Sequence, residues 1–146
     1  MKKKIVLDAS VVISSLISHE PKHFESKELM RFIKQHDVLV IIPLFTIMEV
    51  IHGYFRAIAD MDAADKIYKM FIDWNTQGGL QIINLESAFL IHFTANHHLF
   101  PVKTADAVVA VTSYAFKAPL VTWDKQLIRM CGDNTKTITP EEFLAQ

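Results

Sequence analysis

Short apolar runs alternate along the chain with longer segments in which apolar residues recur at helical spacing. The runs predict buried strands at residues 4–8, 38–42, 80–85, 120–122 and 137–138. The periodic segments predict helices from about residue 10, over 26–35, 45–58, 63–76, 87–97 and 104–116, from residue 125, and after Thr139. Apolar strands that alternate with helices are typical of α/β proteins. We therefore expect a three-layer α/β/α sandwich with a central parallel sheet of about five strands.

Composition places this pattern in one folded domain over residues 1–146. The apolar fraction of 51% and charged fraction of 21% are those of a globular protein, and no repeat or linker divides the chain. Asp8 interrupts the first apolar run, so no export signal is expected, and the longest apolar stretch, residues 38–50, carries Pro43, Thr46 and Glu49, so no membrane span is expected either. The single cysteine, Cys131, has no partner for an intramolecular disulfide, which fits a reducing cytoplasm.

Four carboxylates follow the predicted strands or open the helices beyond them: Asp8, Glu49, Asp106 and Asp124. Glu49 is the only Asp, Glu, Lys or Arg between positions 37 and 56, and Asp106 is the only one between positions 103 and 117. In parallel sheets, ligands bind beyond the carboxyl ends of the strands, near a reversal of strand order. These four side chains are therefore the first candidates for a functional site.

Each acid also has a purely structural interpretation. Asp8 and Asp124 are suited to cap the helices that follow them, and Thr46-x-x-Glu49 fits a capping box. Taken together, however, four converging acids repel one another, and a charge on the apolar helix of Asp106 needs a partner. A divalent cation answers both requirements. Oxygen ligands without clustered Cys or His select Mg²⁺ or Mn²⁺ rather than Zn²⁺.

The order and spacing of these motifs resemble a known family. The motifs are Asp8-Ala9-Ser10, Thr46-x-x-Glu49, Thr104-x-Asp106-Ala107 and Thr122-x-Asp124. They are similar to those of the PIN-domain ribonucleases, especially VapC-type toxins and related small stand-alone PIN proteins. The resemblance extends from Ile5 to the last helix. It implies an α/β/α sandwich, dependence on Mg²⁺ or Mn²⁺, and hydrolysis of RNA phosphodiester bonds.

The resemblance also implies roles for individual residues. Asp8 and Asp106 become the primary metal ligands, and Glu49 and Asp124 complete the catalytic acidic cluster. The hydroxyls of Ser10, Thr46 and Thr122 are expected to orient these carboxylates or water.

Substrate and partner contacts are predicted from charge and apolar character. Because the formal net charge is −1, RNA must be attracted by a local patch or a bound cation. Lys103, Lys125 and Arg129 flank the acids in sequence and are the candidates for phosphate contact. Several large apolar side chains on helices suggest a homodimer seam or a groove for a small antitoxin protein, namely Met30, Phe32, Phe71 and Trp74.

Other functions remain open at this point. A phosphotransferase of the haloacid dehalogenase kind needs a second Asp where this chain has Ser10, and a receiver domain needs acids that are absent here. Glu49-x-x-His52 is only one of the two such pairs that a di-iron bundle requires. A catalytically silent PIN-fold binding module and a housekeeping RNA-processing nuclease without antitoxin both remain as alternatives.

Overall fold

The computed structural model describes residues 1–146 and contains one five-stranded, fully parallel sheet of order β3-β2-β1-β4-β5. The strands are β1 (Lys4–Leu7), β2 (Leu39–Pro43), β3 (Leu80–Ile83), β4 (Leu120–Val121) and β5 (Thr137–Ile138). Their central members are buried on both sides. The predicted fold class is confirmed.

Eight α-helices cover the two faces of the sheet, with a single 3-10 turn at His97–Leu99. They are α1 (Ala9–Leu16), α2 (His23–Gln35), α3 (Leu44–Ile58), α4 (Met61–Thr76), α5 (Ser87–Asn96), α6 (Thr104–Phe116), α7 (Lys125–Cys131) and α8 (Pro140–Leu144). None of them is both long and apolar enough to span a bilayer.

The alternation of side chains along the strands produces two separate cores. Ile5 and Leu7 belong to a core shared with α1, α2, α3, α4 and α8. Val6, between them, belongs to a second core, on which α5, α6 and α7 pack. Successive strand residues point to opposite faces, so a strand buried on both sides must be apolar throughout. This is the reason that the strands appear in the sequence as unbroken apolar runs.

Several predicted element boundaries differ from the observed ones. Strand β3 ends at Ile83 and not at residue 85, because Ile83 pairs with Pro43, the last residue of β2, and no neighbouring strand continues beyond it. Helix α2 begins three residues earlier than predicted, at His23, whose ring Nδ1 lies 2.8 Å from the carbonyl oxygen of Ser14. The predicted cap of the last helix is confirmed, since Thr139 and Glu142 form a complete capping box.

The expectation that α4 offers Phe71 to a partner is wrong. Phe71 is only 1% exposed and belongs to the core, because it lies on the face of α4 that packs against the sheet. Met30, Phe32 and Trp74 are partly buried against the same core. The most exposed apolar side chains lie elsewhere and include Phe24, Met48, Met61, Leu90 and Ile91.

Candidate active site

The strand order reverses between β1 and β4. The chain builds β2 and β3 on one side of β1 and then crosses to place β4 and β5 on the other. Such a reversal opens a crevice at the carboxyl ends of the two central strands. Asp8 follows β1 directly, and its backbone N–H donates to the carbonyl of Val121 at the end of β4 (3.1 Å). Asp8 and the segment after β4 therefore line the same crevice.

Asp8 is held in place by two hydroxyl groups. Ser10 Oγ and Thr122 Oγ1 each donate to Asp8 Oδ2, both at 2.7 Å, and the side chain is largely buried. Asp8 Oδ1 accepts no hydrogen bond from the protein and is not among the fully buried polar atoms. Asp8 stands at the N-cap of α1 without capping it. The capping interpretation is wrong for this residue, and one carboxylate oxygen is left available to a ligand.

Asp124, in contrast, does cap a helix. Its Oδ1 accepts from the backbone N–H groups of Gln126 (2.9 Å) and Leu127 (3.1 Å) at the start of α7. Its own N–H donates to Thr122 Oγ1 (3.0 Å), which links Asp124 to Asp8 through one hydroxyl. Asp124 thus has a structural role, and only its Oδ2 is free of protein hydrogen bonds.

Glu49 and Asp106 approach the crevice from α3 and α6. Burial and the neighbouring Asp8 and Asp106 charges raise the pKa of Glu49 to about 7, against an opposing effect of Lys103. The pKa of Asp106 is also raised, by burial and by the charges of Asp8 and Asp124. Asp106 is less buried than its apolar helix suggested, since it lies in the first turn of α6, which is only partly buried. The four acids therefore form one mutually repelling group.

Compensation of this negative charge by the protein is small. None of the four carboxylates forms a salt bridge. Lys103, at the N-cap of α6, is near enough to lower the pKa of both Glu49 and Asp106. Lys125 and Arg129 are exposed on α7, and neither affects the pKa of these two acids.

Thr46 has an unusual environment one helical turn before Glu49. It is only 1% exposed, and its Oγ1 is the one fully buried side-chain polar atom without a hydrogen-bond partner. The capping box predicted for Thr46 and Glu49 does not form, because α3 begins earlier, at Leu44, with Pro43 at its N-cap. An unsatisfied buried hydroxyl costs about 1–3 kcal/mol, so Thr46 has an unused capacity to bind water or a reoriented carboxylate.

The donor set suits a hard divalent cation, although the side chains are not gathered around one point. No group of three or more His, Cys, Asp or Glu side chains converges closely enough to coordinate an ion. The uncompensated carboxylates, the free Asp8 Oδ1 and the unpaired Thr46 hydroxyl nevertheless provide the oxygen chemistry that Mg²⁺ and Mn²⁺ prefer.

Trp123 is a supporting residue that the sequence reasoning missed. Its backbone N–H donates to Ser10 Oγ (3.2 Å), and its indole N–H donates to Ser26 Oγ on α2 (2.8 Å). Ser26 is fully buried and lies 2.6 Å from the hydroxyl of Ser14. These bonds fasten the segment after β4 to α1 and α2. The sequence gives only a weak signal for these bonds, since Ser10 and Ser26 are small polar residues on helical faces that are otherwise apolar.

The raised pKa of Glu49 gives a prediction for the metal-free protein. A carboxyl group whose folded-state pKa lies above its ordinary value makes the fold less stable as pH rises from about 4.5 to about 7. In EDTA, Glu49→Gln should therefore be more stable than the wild type at pH 8, by about 1 kcal/mol after allowance for solvent screening of a half-exposed group. The difference should vanish at pH 4, where both side chains are neutral.

Urea unfolding at both pH values measures this difference. The matched control is Asp73→Asn, which removes an exposed charge on α4. A Glu49→Gln protein that gains no more stability at pH 8 than Asp73→Asn would contradict the electrostatic description of the cluster.

The fold and site together define a class, that of doubly wound α/β proteins with an acidic crevice at the reversal of strand order. Within that class, the PIN domain model matches residues 5–133. The chain therefore belongs to the PIN-domain family, as its motifs predicted. No curated protein matches the chain in sequence.

Solved structures with the same fold are distant in sequence. DNA-bound VapBC from Salmonella typhimurium has a TM-score of 0.68 at 18% identity, covering 96% of this chain and 99% of that one. VapC20 from Mycobacterium tuberculosis, a toxin that cleaves the sarcin-ricin loop, has a TM-score of 0.67 at 12% identity, covering 86% and 93%. A toxin-antitoxin complex from Klebsiella pneumoniae reaches 0.60 at 20% identity, covering 93% and 97%.

Proposed function

We propose that this protein is a Mg²⁺- or Mn²⁺-dependent endoribonuclease and the toxin of a toxin–antitoxin pair. The observation that carries the nuclease proposal is the group of four carboxylates at the strand reversal, where the charges of the neighbouring acids raise the pKa of Glu49 and of Asp106 and only Lys103 opposes this effect. An acidic crevice in a protein of net charge −1 repels a polyanion unless a cation is bound. Membership of the PIN family makes the nuclease the chemistry to test first.

We propose a different role in phosphodiester hydrolysis for each residue of the site. Asp8, with Oδ1 free, and Asp106 would hold the cation, and Glu49 and the free oxygen of Asp124 would complete the acidic cluster. The cation, when bound, supplies neutralisation of charge on the scissile phosphate and activation of the attacking water. The hydroxyls of Ser10 and Thr122 keep the Asp8 carboxylate in one orientation.

Glu49 is the group best suited to move a proton. In the metal-free protein, burial and the charges of Asp8 and Asp106 raise its pKa to about 7, so among the four acids Glu49 is proposed as the one that accepts a proton. Lys103 is the basic residue whose charge lowers the pKa of both Glu49 and Asp106, and it is proposed to contact a substrate phosphate. Lys125 and Arg129 are proposed to contact RNA farther along α7, where both are exposed.

The proposal of an antitoxin partner is supported by the structural neighbours. The structure from Klebsiella pneumoniae is a toxin-antitoxin complex, and the one from Salmonella typhimurium is VapBC bound to DNA. We propose that this chain also binds a small antitoxin protein, that it forms a homodimer, and that it acts in the cytoplasm. Co-expression with the neighbouring gene product, followed by size-exclusion chromatography, tests the partner and the oligomeric state together.

Metal binding and cleavage can be tested in the same preparation. We expect purified protein to cleave total cellular RNA in the presence of Mn²⁺. Cleavage should stop when EDTA is added and resume when Mn²⁺ is restored. Mn²⁺ at about 100 times its Kd should also stabilise the fold by about 2.7 kcal/mol, measured by thermal unfolding. Asp106→Asn should lose both effects. Cleavage that continues in EDTA would contradict the proposal, as would stabilisation of Asp106→Asn by Mn²⁺ to the same extent as the wild type. Mn²⁺ binding without cleavage would identify a catalytically silent binding module.

A further inference from the structure

Two adjoining cavities lie beside α5 and α6, on the sheet face opposite α2 and α4. The larger, of about 640 Å³, is lined by the ends of α5 and α6 and by the segment before β5. The smaller, of about 350 Å³, is lined by β3, α5 and the end of α6. They share His92 and Ala115 in their linings, so they lie side by side, and the two together are here called the α5–α6 groove. Its size is that of a small-ligand site.

The larger cavity has a cationic lining without any acid. Lys117, Lys136 and His92 line it, and no Asp or Glu does. Neither lysine forms a salt bridge, and Lys136 Nζ donates only to the neutral Gln146 Oε1 (3.2 Å). Because the chain carries a net charge of −1, this is a local concentration of positive charge. Two uncompensated ammonium groups beside neutral polar side chains are suited to bind phosphate.

The smaller cavity has a different chemistry. Six of its nine lining residues are hydrophobic, among them Phe89 and Phe116. Asn84 and Glu86 also line it and offer hydrogen-bonding groups to the edge of a planar ring. At the cationic end, Tyr114 lines the cavity and is 40% exposed. A groove that combines free cations with an apolar, aromatic pocket matches single-stranded nucleic acid, whose phosphates and unstacked bases need these two environments.

The α5–α6 groove lies apart from the acidic crevice. Asp106 is in the first turn of α6, and Lys117 follows that helix at its C-cap, 11 residues later. At the rise of an α-helix, this spacing corresponds to about 16 Å. A bound strand could therefore occupy the groove while another part of the same RNA lies at the carboxylates.

We propose that the α5–α6 groove binds a single-stranded segment of RNA, with one backbone phosphate at Lys117, a second at Lys136, and a base in the apolar pocket. The groove then anchors the substrate at a distance from the cleaved bond. This inference rests on the proposed ribonuclease function for the choice of RNA as ligand.

The test measures binding in EDTA, so it does not depend on cleavage. Fluorescence anisotropy gives the affinity of the full chain for a labelled oligoribonucleotide across a range of salt concentrations. The test variant is Lys117→Asn/Lys136→Gln, with Asn chosen because position 117 has a positive φ of 50°. The control is Lys27→Gln/Lys66→Gln, which removes two exposed helical lysines on the other face of the sheet. Thermal unfolding checks that both proteins fold.

We expect the groove variant to bind about tenfold more weakly, with a salt slope reduced by about 1.4, as for two phosphate contacts on a single strand. The control should change affinity less than about twofold, since its lysines lie away from the groove. Equal losses in the two variants would overturn the proposal, since they would report only net charge. The proposal would also be overturned if the affinity for a nucleoside monophosphate depended on the groove lysines and the affinity for the oligoribonucleotide did not. The groove would then be a site for a free nucleotide.

Failure of the proposed function gives a different result. If the wild type binds RNA through Lys117 and Lys136 but cleaves nothing with Mn²⁺, the groove assignment stands and the nuclease proposal fails. If it cleaves RNA while the lysine substitutions leave binding unchanged, the groove assignment alone fails.

Discussion

Asp8→Asn should reduce RNA cleavage by at least about a thousandfold while leaving the fold intact. A cation that neutralises transition-state charge contributes several kcal/mol, and every 1.4 kcal/mol corresponds to about a factor of ten in rate. Asp8 is the buried acid of the cluster, and two hydroxyls fix one of its oxygens while the other is free, so its charge is held in one position without capping a helix. Single-turnover cleavage of a defined oligoribonucleotide with Mn²⁺ measures the change.

The amide introduced by Asp8→Asn retains an oxygen that can accept from Ser10 and Thr122, so folding should not suffer. Loss of the charge also relieves the repulsion that raises the pKa of Glu49 and of Asp106. We therefore expect the free energy of unfolding in EDTA to be equal to or higher than that of the wild type. Asp73→Asn is the matched control and should cleave normally. Cleavage by Asp8→Asn within about tenfold of the wild type would show that this carboxylate does not hold the essential ion.

The fold could be predicted from the sequence because its central strands are buried on both faces. Such strands must be apolar at every position, so β1 and β2 are visible as runs without any knowledge of their neighbours. Their ends were less predictable. The end of β3 at Ile83 depends on where β2 stops, which is a property of the assembled sheet. The burial of Phe71 likewise depends on how α4 is rotated against the sheet.

The proximity of the four acids could be predicted from the sequence, but their individual environments could not. The rule that ligands bind beyond the carboxyl ends of parallel strands was sufficient to bring Asp8 and Asp124 to one crevice. It could not show that Asp124 caps a helix and Asp8 does not. Cap formation depends on the side-chain rotamer, and the two hydroxyls that fix Asp8 include that of Thr122, which follows β4 and lies more than a hundred residues away in sequence.

That distant hydroxyl gives the second large expected effect. Thr122→Val keeps the shape of a fully buried side chain but removes the donor to Asp8 Oδ2 and the acceptor for the N–H of Asp124. We expect cleavage to fall about 10–100-fold, as is typical when a group that orients a metal ligand is lost. The free energy of unfolding should fall by about 1–3 kcal/mol, the cost of unsatisfied buried polar groups.

Thr122→Ser separates positioning from packing, because it restores the hydroxyl and leaves out the methyl group. If Thr122 orients Asp8, the serine variant should recover most of the cleavage rate and most of the Mn²⁺ affinity, measured as the metal concentration that gives half-maximal thermal stabilisation. Valine should weaken Mn²⁺ binding even though its packing is the better of the two. The opposite order is that Thr122→Val binds Mn²⁺ as tightly as the wild type and Thr122→Ser binds it less tightly. That result would mean that Thr122 supports the site only through its volume. The hydroxyl between Asp8 and Asp124 would then have no part in preparing the carboxylates for a cation.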